Sequence, residues 1–358
     1  MGIFALLLLT PIMFQHVTIK EQKIDFNKKN KRALTLFFVM LAVLLMFRHA
    51  SVGNDTRNYI LFFNYFSNMS WAELKNYPLE LGFSYLSKMI SLFVSKPQTF
   101  LAITAVLCCV LIYPTYKRLC IDASLTIALF CTMSTFPMMF SGIRQMLAIG
   151  IGFVAYEFTR NKKIMPFILT VLLAMTFHTS AFMLLFMYPL FHAKITKKWL
   201  LVVIPAVATV FVFNEQIFSV LSLLIERYTE YEGDITRTGA YTMIILFALF
   251  AVFSFLVTDD SILDKETIGL RNFLLLALIL QMFAPLHSLA MRMGYYYIIF
   301  IPLLLPKIIR CRSKQWEQVA ILARHVMVVF FLAYFFVNAH GEGNLNVFPY
   351  HFFWETVG

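Results

Sequence analysis

The chain has 358 residues, of which 60% are hydrophobic and 14% are charged. This composition leaves too little polar surface to cover a water-soluble globule, so it predicts an integral membrane protein. The formal net charge of +11 does not indicate nucleic-acid binding, because the basic residues lie in short loops between apolar segments, where the positive-inside rule accounts for them.

Apolar segments follow one another along the whole chain. A spanning helix needs about 20 mainly apolar residues, or fewer where neighbouring helices cover its ends. The chain is therefore predicted to be an all-α, polytopic membrane protein that forms a single transmembrane domain over residues 1–358. The predicted spans, about twelve in number, lie near residues 2–14, 33–48, 98–116, 122–141, 143–160, 163–177, 180–192, 198–214, 239–257, 270–290, 294–310 and 321–338.

Clusters of lysine and arginine set the predicted orientation of these spans. They precede the second span and follow the third and the fifth, and such clusters are typical of cytoplasmic loops. The orientation that keeps every basic loop in the cytoplasm leaves both termini outside. Residues 49–97, residues 214–238 and the C-terminal tail 339–358 are then external. In the first of these segments, residues 80–95 are predicted to form an interfacial or re-entrant helix, with an additional span as the alternative.

Arginine is the most frequent residue among the candidate ionisable residues at the predicted external edge. A guanidinium stays charged and offers a planar fork of donors that suits phosphate or carboxylate oxygens. This edge of the protein is therefore predicted to bind an anionic ligand. The candidate residues at this edge are Arg48, Asp55, Arg57, Glu80, Arg144, His178, Arg227, Arg237, Arg292 and His351.

Two of these arginines stand in informative surroundings. In SGIRQMLAIGIG, Ser141 can cap a helix that starts there, which places Arg144 in the first turn. The unpaired N–H groups and the helix dipole favour an anion at that place. In MRMGYYY, Arg292 precedes three tyrosines. For both arginines the alternative is an interfacial side chain that reaches lipid headgroups.

Two carboxylates and one histidine on this side can act as a base. Charged side chains at membrane depth are costly, so Asp55 and Glu80 each pair with a cation or take part in chemistry. Asp55 is either a bridge to Arg48 or Arg57, or a base. His178 is either a hydrogen-bonded structural residue, or a donor or base. Common metal and nucleotide motifs are missing and no external acidic pair suits a divalent metal, so no cofactor is predicted.

Four short motifs occur in order along the chain. They are R-x4-G-x-D-T-x2-Y-x3-F from Arg48, E-x-G-F from Glu80, S-x-I-R-Q from Ser141 and H-x-S-A from His178. With the ending FPYHFFW, these motifs resemble the EpsG family, which is grouped with the Wzy-like polymerases of bacterial exopolysaccharides, capsules and O-antigens. The resemblance extends over essentially the whole chain.

The resemblance implies a metal-independent glycosyltransferase of the bacterial cytoplasmic (inner) membrane, with its active site facing the outside or the periplasm. Such an enzyme moves a glycan from undecaprenyl diphosphate to the sugar of another lipid-linked repeat unit. The implied partners are the undecaprenyl-diphosphate-linked oligosaccharide donor and acceptor, membrane lipid, a flippase and a chain-length regulator.

This hypothesis gives the external residues roles. The candidate catalytic bases for the acceptor hydroxyl are Asp55, Glu80 and His178, with Asp55 ranked first. Arg144, the N–H groups of its helix start and Arg292 would stabilise the leaving diphosphate, and Arg48 or Arg57 would hold the second lipid diphosphate. The candidate substrate-binding residues are Arg48, Arg57, Arg144, Gln145, Arg292 and Tyr296.

Two other functions fit parts of the same pattern. A ligase that transfers a finished glycan from the same lipid carrier would use the same diphosphate site. A flippase for lipid-linked oligosaccharides would also need arginines along a membrane path. However, a flippase would be expected to carry ionisable residues deep in its spans and to have related halves. The charges here gather at one face, which favours catalysis.

Overall fold

The computed structural model describes residues 1–16, 26–223, 237–286, 288–339, 341 and 344–357. These described residues contain helices, turns and loops, and their only extended pairings are two isolated bridges. The predicted all-α class is therefore confirmed.

The α-helices of the described residues are α1 (Gly2–His16), α2 (Phe26–Phe47), α3 (Thr56–Asn68), α4 (Trp71–Lys75), α5 (Leu81–Ser91), α6 (Pro97–Leu119), α7 (Ala123–Thr132), α8 (Thr135–Ser141), α9 (Ile143–Arg160), α10 (Ile164–Met175), α11 (Met187–His192), α12 (Leu200–Val212), α13 (Asn214–Leu223), α14 (Arg237–Leu256), α15 (Lys265–Gln281), α16 (Ser288–Ile298), α17 (Ile301–Arg310) and α18 (Glu317–Asn338). Short 3₁₀ helices cover Thr179–Phe186, Lys197–Trp199 and Lys314–Trp316.

Several of these helices have the length and composition of membrane spans. Three qualify alone: Asn27–Phe47, Pro97–Leu119 and Lys314–Asn338. The number rises to six if each of three bent pairs is one span: α7 with α8 (62°), Lys197–Val212 with Asn214–Val220 (77°), and Met291–Ile298 with Ile301–Arg310 (44°). Among the described residues, three to six spans indicate a membrane protein, while the predicted number of about twelve stays a prediction.

The segment after α2 differs in detail from its prediction. It contains three helices, α3, α4 and α5, where the sequence predicts one at 80–95. At 1.5 Å per residue the 11 residues of α5 extend about 17 Å, much less than the about 30 Å of a hydrocarbon core. The alternative of an additional span here is therefore not supported. In the second predicted external segment, 214–223 is helical and 224–236 lies outside the described residues.

The chain forms two compact units, and the first comprises residues 1–185 and 324–358. Its core includes α7, all ten residues of which are buried, and α9. From Ile143 to Phe153 every residue of α9 is buried except Arg144. Arg144 is thus a polar side chain held at the start of a rigid apolar helix.

The second unit comprises residues 186–323. Its helix α15 carries the fully buried Arg271, whose guanidinium donates to Asp260 Oδ1 and to the carbonyl oxygen of Ile195, both at 2.8 Å. The guanidinium also lies 3.9 Å from the ring centroid of Phe255. Asp260 Oδ2 in turn accepts the backbone N–H of Lys197 at 2.7 Å. Arg271 therefore ties two loops to α15.

Replacing Arg271 with methionine is expected to destabilise the second unit by about 3 kcal/mol, because Asp260 and the Ile195 carbonyl lose a charged donor while the apolar volume is kept. Thermal unfolding of the purified protein in detergent measures this effect. The half-exposed Arg312, paired with Glu317 at 2.6 Å, provides the control R312M, which should change the melting temperature little. Equal melting temperatures of R271M and the wild type would contradict the assigned role.

Candidate functional site

Four segments that are distant in sequence meet in the first unit. Ser141 Oγ donates to Asp55 Oδ2 at 3.3 Å, Arg144 forms an ion pair with Glu80, and Thr179 Oγ1 donates to Glu80 Oε1 at 3.2 Å. These contacts join residues 86, 64 and 99 positions apart. All four motifs therefore contribute to one cluster of polar side chains, here called the polar centre: Asp55, Tyr59, Glu80, Ser141, Arg144, His178 and Thr179.

Two glycines allow these segments to approach one another. Gly53 has φ +89°, and a Cβ at this position would collide with the backbone of Phe140. Gly82 donates its N–H to the carbonyl oxygen of Thr176 at 2.8 Å, and a Cβ there would collide with the Thr176 backbone. The glycines of the G-x-D-T and E-x-G-F motifs thus bring Asp55 and Glu80 to the other two motifs.

A tyrosine side chain from α3 lies at the N-terminus of α9. Tyr59, which is 3% exposed, lies beside Arg144, whose backbone N–H and guanidinium both act to lower the pKa of its phenol. The sequence predicts that this N–H holds an anion, whereas in the structure it lies near a phenol oxygen. The guanidinium is therefore the part of Arg144 that remains available for a ligand.

Glu80 is held from two sides. Its Oε2 accepts from Arg144, and its Oε1 accepts from the backbone N–H of Thr179 at 3.4 Å and from the Thr179 hydroxyl. Burial is the largest single effect and acts to raise the pKa of Glu80, but the charge of Arg144, hydrogen bonds to the carboxylate and nearby His178 together outweigh burial, so the pKa lies below its ordinary value. A carboxylate stabilised in its ionised form is a weak base, which favours a bracing role for Glu80.

Glu80 gives the fold a defined pH dependence. Because its pKa is lower in the folded than in the unfolded chain, ionised Glu80 stabilises the fold above the unfolded pKa, and this contribution disappears as the pH falls through the folded pKa. Glu80→Gln should therefore cost about 2 kcal/mol at neutral pH and progressively less below about pH 4. Melting temperatures of both proteins across a pH series measure the difference. A difference that does not change with pH would contradict the ion pair.

A matched variant separates this effect from the general loss of an ion pair. Glu157, near the other end of α9, pairs with Arg118 at 2.7 Å with both side chains about one-third exposed. Glu157→Gln should lower the melting temperature less than Glu80→Gln at neutral pH, because exposed pairs contribute little.

His178 makes local hydrogen bonds. Its Nδ1 lies 2.7 Å from Ser180 Oγ and accepts the Ser180 backbone N–H at 3.3 Å. An accepting Nδ1 places the proton of the neutral ring on Nε2. This geometry matches the structural interpretation of His178. The ring also lies near Glu80, because in its charged form it acts to lower the pKa of that carboxyl.

Asp55 is an N-cap residue whose carboxylate does not cap its helix. Asp122 and Asp264 also precede helices, and each accepts a backbone N–H of its own first turn, from Leu125 and Thr267. Asp55 makes no such bond, and its Oδ2 instead accepts from Ser141. Among the described residues it forms no ion pair with Arg48 or Arg57, so the predicted bridge is not observed. Its half-buried carboxylate keeps further accepting capacity.

Arg48 lies beneath the C-terminal tail. It is 1% exposed and donates to the carbonyl oxygen of Leu45 at 2.6 Å. The tail pairs with the end of α2 through His49 N–H to His351 O (2.8 Å), Phe353 N–H to Phe47 O (2.9 Å) and Tyr350 Oη to Leu44 O (2.7 Å). Burial lowers the pKa of Arg48 to about 10, which still leaves it charged at neutral pH. The geometry favours a structural role for this arginine.

The other candidate substrate-binding residues lie in varied surroundings. Arg57 is exposed on α3, and Gln145 is buried in α9. Arg292 and Tyr296 belong to the second unit, where Arg292 is half-buried and Tyr296 is buried on α16. The described part of the chain contains no cluster of three or more His, Cys, Asp or Glu side chains placed to hold a metal ion.

Three members of the polar centre are not among the predicted site residues: Tyr59, Ser141 and Thr179. Tyr59 is the tyrosine of the first motif and Ser141 is the serine of the third, and the spacing of Tyr59 is a further signal. Tyr59 follows Asp55 by four positions, which places both side chains on one face of a helix. No local pattern points to Thr179, since its partner Glu80 is 99 residues away.

Comparison with known proteins supports the resemblance drawn from the motifs. The sequence model of the EpsG family matches residues 31–352, a range that includes the whole polar centre. No curated protein and no solved structure gives a significant match. The chain therefore belongs to the EpsG family, a family of Wzy-like polymerases.

Proposed function

We propose that the protein is a polysaccharide polymerase that transfers a glycan from undecaprenyl diphosphate to the sugar of another lipid-linked repeat unit. Family membership supports an exopolysaccharide or O-antigen polymerase. The observation that carries the finer proposal is the polar centre, which combines an uncommitted carboxylate, a guanidinium and a phenol beside the ends of apolar helices.

In this proposal Asp55 is the general base. The acceptor hydroxyl gives its proton to the Asp55 carboxylate while its oxygen bonds to the anomeric carbon of the donor. The bond from that carbon to the diphosphate oxygen breaks, and lipid diphosphate leaves with the electron pair. The geometry favours Asp55 over Glu80, because the Glu80 carboxylate is committed to Arg144 and Thr179.

Arg144 stabilises the leaving diphosphate. A guanidinium has five N–H donors, and Arg144 uses part of this set on Glu80 and Tyr59. Its Nε is buried without a hydrogen-bond partner among the described residues. A fixed positive charge of this kind lowers the free energy of a transition state in which phosphate charge increases, and it supplies what a metal ion supplies in other transferases. The exposed Arg57 binds the second lipid diphosphate. The substrate-binding roles of Arg292 and Tyr296, which belong to the second unit, stay predictions.

The length of α9 is compatible with an outward-facing site in the bacterial inner membrane, although α9 is not among the helices that qualify as spans by length and composition. Its 18 residues extend about 27 Å, close to the thickness of a hydrocarbon core. Arg144 lies at one end, while Arg160 and the predicted cytoplasmic residues Lys162 and Lys163 follow at the other. In this orientation a flippase delivers the substrates to the outer leaflet, and a chain-length regulator acts on the growing polymer.

A reconstituted polymerisation assay tests the proposal. Purified protein in liposomes receives undecaprenyl-diphosphate-linked repeat units in the presence of excess chelator, and the products are separated on a gel. A ladder of glycans spaced by one repeat unit is expected. Intact repeat units that only change leaflet would instead show a flippase, and transfer of a single finished glycan to a different acceptor would show a ligase.

A further inference from the structure

Tyr59 has an unusual set of partners. Its phenol oxygen lies beside two donors of Arg144, which cannot accept the phenol proton, so this proton points to another group. No described residue accepts this proton. Burial raises the pKa of Tyr59 more than Arg144 lowers it, which keeps the phenol protonated at neutral pH. Tyr59 is thus a protonated hydrogen-bond donor beside the cation Arg144, and its proton is available for a ligand.

Asp55 lies one helical turn before Tyr59. The Tyr59 N–H donates to the Asp55 carbonyl oxygen at 3.0 Å, as expected one turn apart in a helix, so the two side chains lie on the same helix face. The Asp55 carboxylate is near enough to influence the ionisation of the phenol, although no hydrogen bond joins them. Asp55 is half-buried while Tyr59 is buried, so a ligand reaches the pair from the Asp55 side.

We propose that Asp55 and Tyr59 together form the binding site for the acceptor hydroxyl, with Tyr59 donating a hydrogen bond to its oxygen and Asp55 accepting its proton. The inference rests on the proposed function and assigns Tyr59 as a further substrate-contacting residue. A hydroxyl group satisfies both side chains, since it is both donor and acceptor. A phosphate oxygen would accept from Tyr59 but would face the negative charge of Asp55, so this pair selects a sugar hydroxyl.

The proton and the electrons balance in this arrangement. The hydroxyl proton moves to Asp55, the oxygen lone pair forms the new glycosidic bond, and the departing diphosphate takes the electrons of the broken one. Tyr59 keeps its proton throughout and orients the attacking oxygen. Asp55 afterwards returns its proton to solvent.

A deoxy-acceptor experiment tests the pairing. The acceptor lacks only the hydroxyl that is glycosylated in the wild-type product, and its inhibition constant is compared with the KM of the normal acceptor. For the wild type, the inhibition constant of the deoxy acceptor should be about 10-fold higher than the KM of the normal acceptor. In Tyr59→Phe most of this difference should disappear. The control is Tyr113→Phe, which removes another phenol hydrogen bond, to Thr35 Oγ1 at 2.7 Å, and should keep the preference. If Tyr59→Phe is slower but discriminates like the wild type, Tyr59 is only structural and the proposal fails.

A second variant retains the ring and its hydroxyl, so it avoids any folding defect of Tyr59→Phe. Fluorinated tyrosine at position 59 lowers the phenol pKa, and the alkaline fall in kcat/KM for the acceptor should move to lower pH. The charged groups that face the phenol are Arg144, Asp55 and Arg48, with Glu80 behind Arg144. None of these is altered, so an unchanged profile would overturn the proposal. Failure of the proposed function would be recognised separately, because the wild type would then form no polymer.

Discussion

Replacing Asp55 with asparagine should reduce the rate of glycan transfer about 1,000-fold, within the range for loss of a general base. Asparagine is also a good N-cap residue, so α3 should still form. The amide can accept the hydroxyl hydrogen bond but cannot take the proton. The loss should therefore appear in kcat, with a much smaller change in the KM of the acceptor, and steady-state kinetics with a labelled acceptor measure both.

The matched control is Asp264→Asn. Asp264 is an N-cap aspartate of the second unit whose carboxylate does cap its helix, by accepting the Thr267 N–H at 2.6 Å. Asparagine can replace that function, so this variant should transfer glycan at close to the wild-type rate. If D55N and D264N were equally active, Asp55 would not be the base.

Replacing Arg144 with lysine should reduce transfer about 100-fold, although the positive charge is kept. The planar guanidinium of Arg144 interacts with Glu80 and Tyr59 and keeps a further N–H donor for the diphosphate. The single ammonium group of lysine cannot do all three. The protein should insert into the membrane normally, because the start of α9 has the same charge. Initial rates with purified R144K, corrected for the amount of folded protein, measure the effect.

Arg118→Lys is the control for this variant. Arg118 also forms an arginine–glutamate ion pair with α9, through Glu157, but at the end of the helix away from the polar centre. Its replacement should leave the transfer rate within about twofold of the wild type, since the pair is partly exposed. A rate for R144K as high as that for R118K would remove Arg144 from the site.

The fold class and the candidate residues were accessible from sequence because both depend on local patterns. Apolar length predicts helices such as α2 and α6, and the four motifs point to Asp55, Glu80 and Arg144. Breaks within the apolar segments were harder to predict from the sequence. Residues 122–141 read as one apolar span, yet the chain becomes extended at Met133 and bends by 62° between α7 and α8.

The pairings within the site could not be predicted, because they join residues that are far apart in the chain. Viewed alone, Arg144 at a helix start indicates an anion from outside the protein, whereas Glu80 and Tyr59 supply the acceptors. From the sequence, Arg48 is likewise interpreted as an external charge. In the structure the C-terminal tail covers this side chain. A carboxylate without an ion pair, such as Asp55, is recognised only when the positions of its possible partners are known.

A single-turnover transfer assay on wild-type protein and D55N tests the central claim most directly. One radiolabelled repeat unit on undecaprenyl diphosphate is mixed with excess protein and an unlabelled lipid-linked acceptor, with chelator present. The wild type should join the label to the acceptor and release one equivalent of undecaprenyl diphosphate, while D55N binds both substrates and transfers about 1,000-fold more slowly. Labelled glycan that stays on its original lipid with wild-type protein, or transfer by D55N at the wild-type rate, would contradict it.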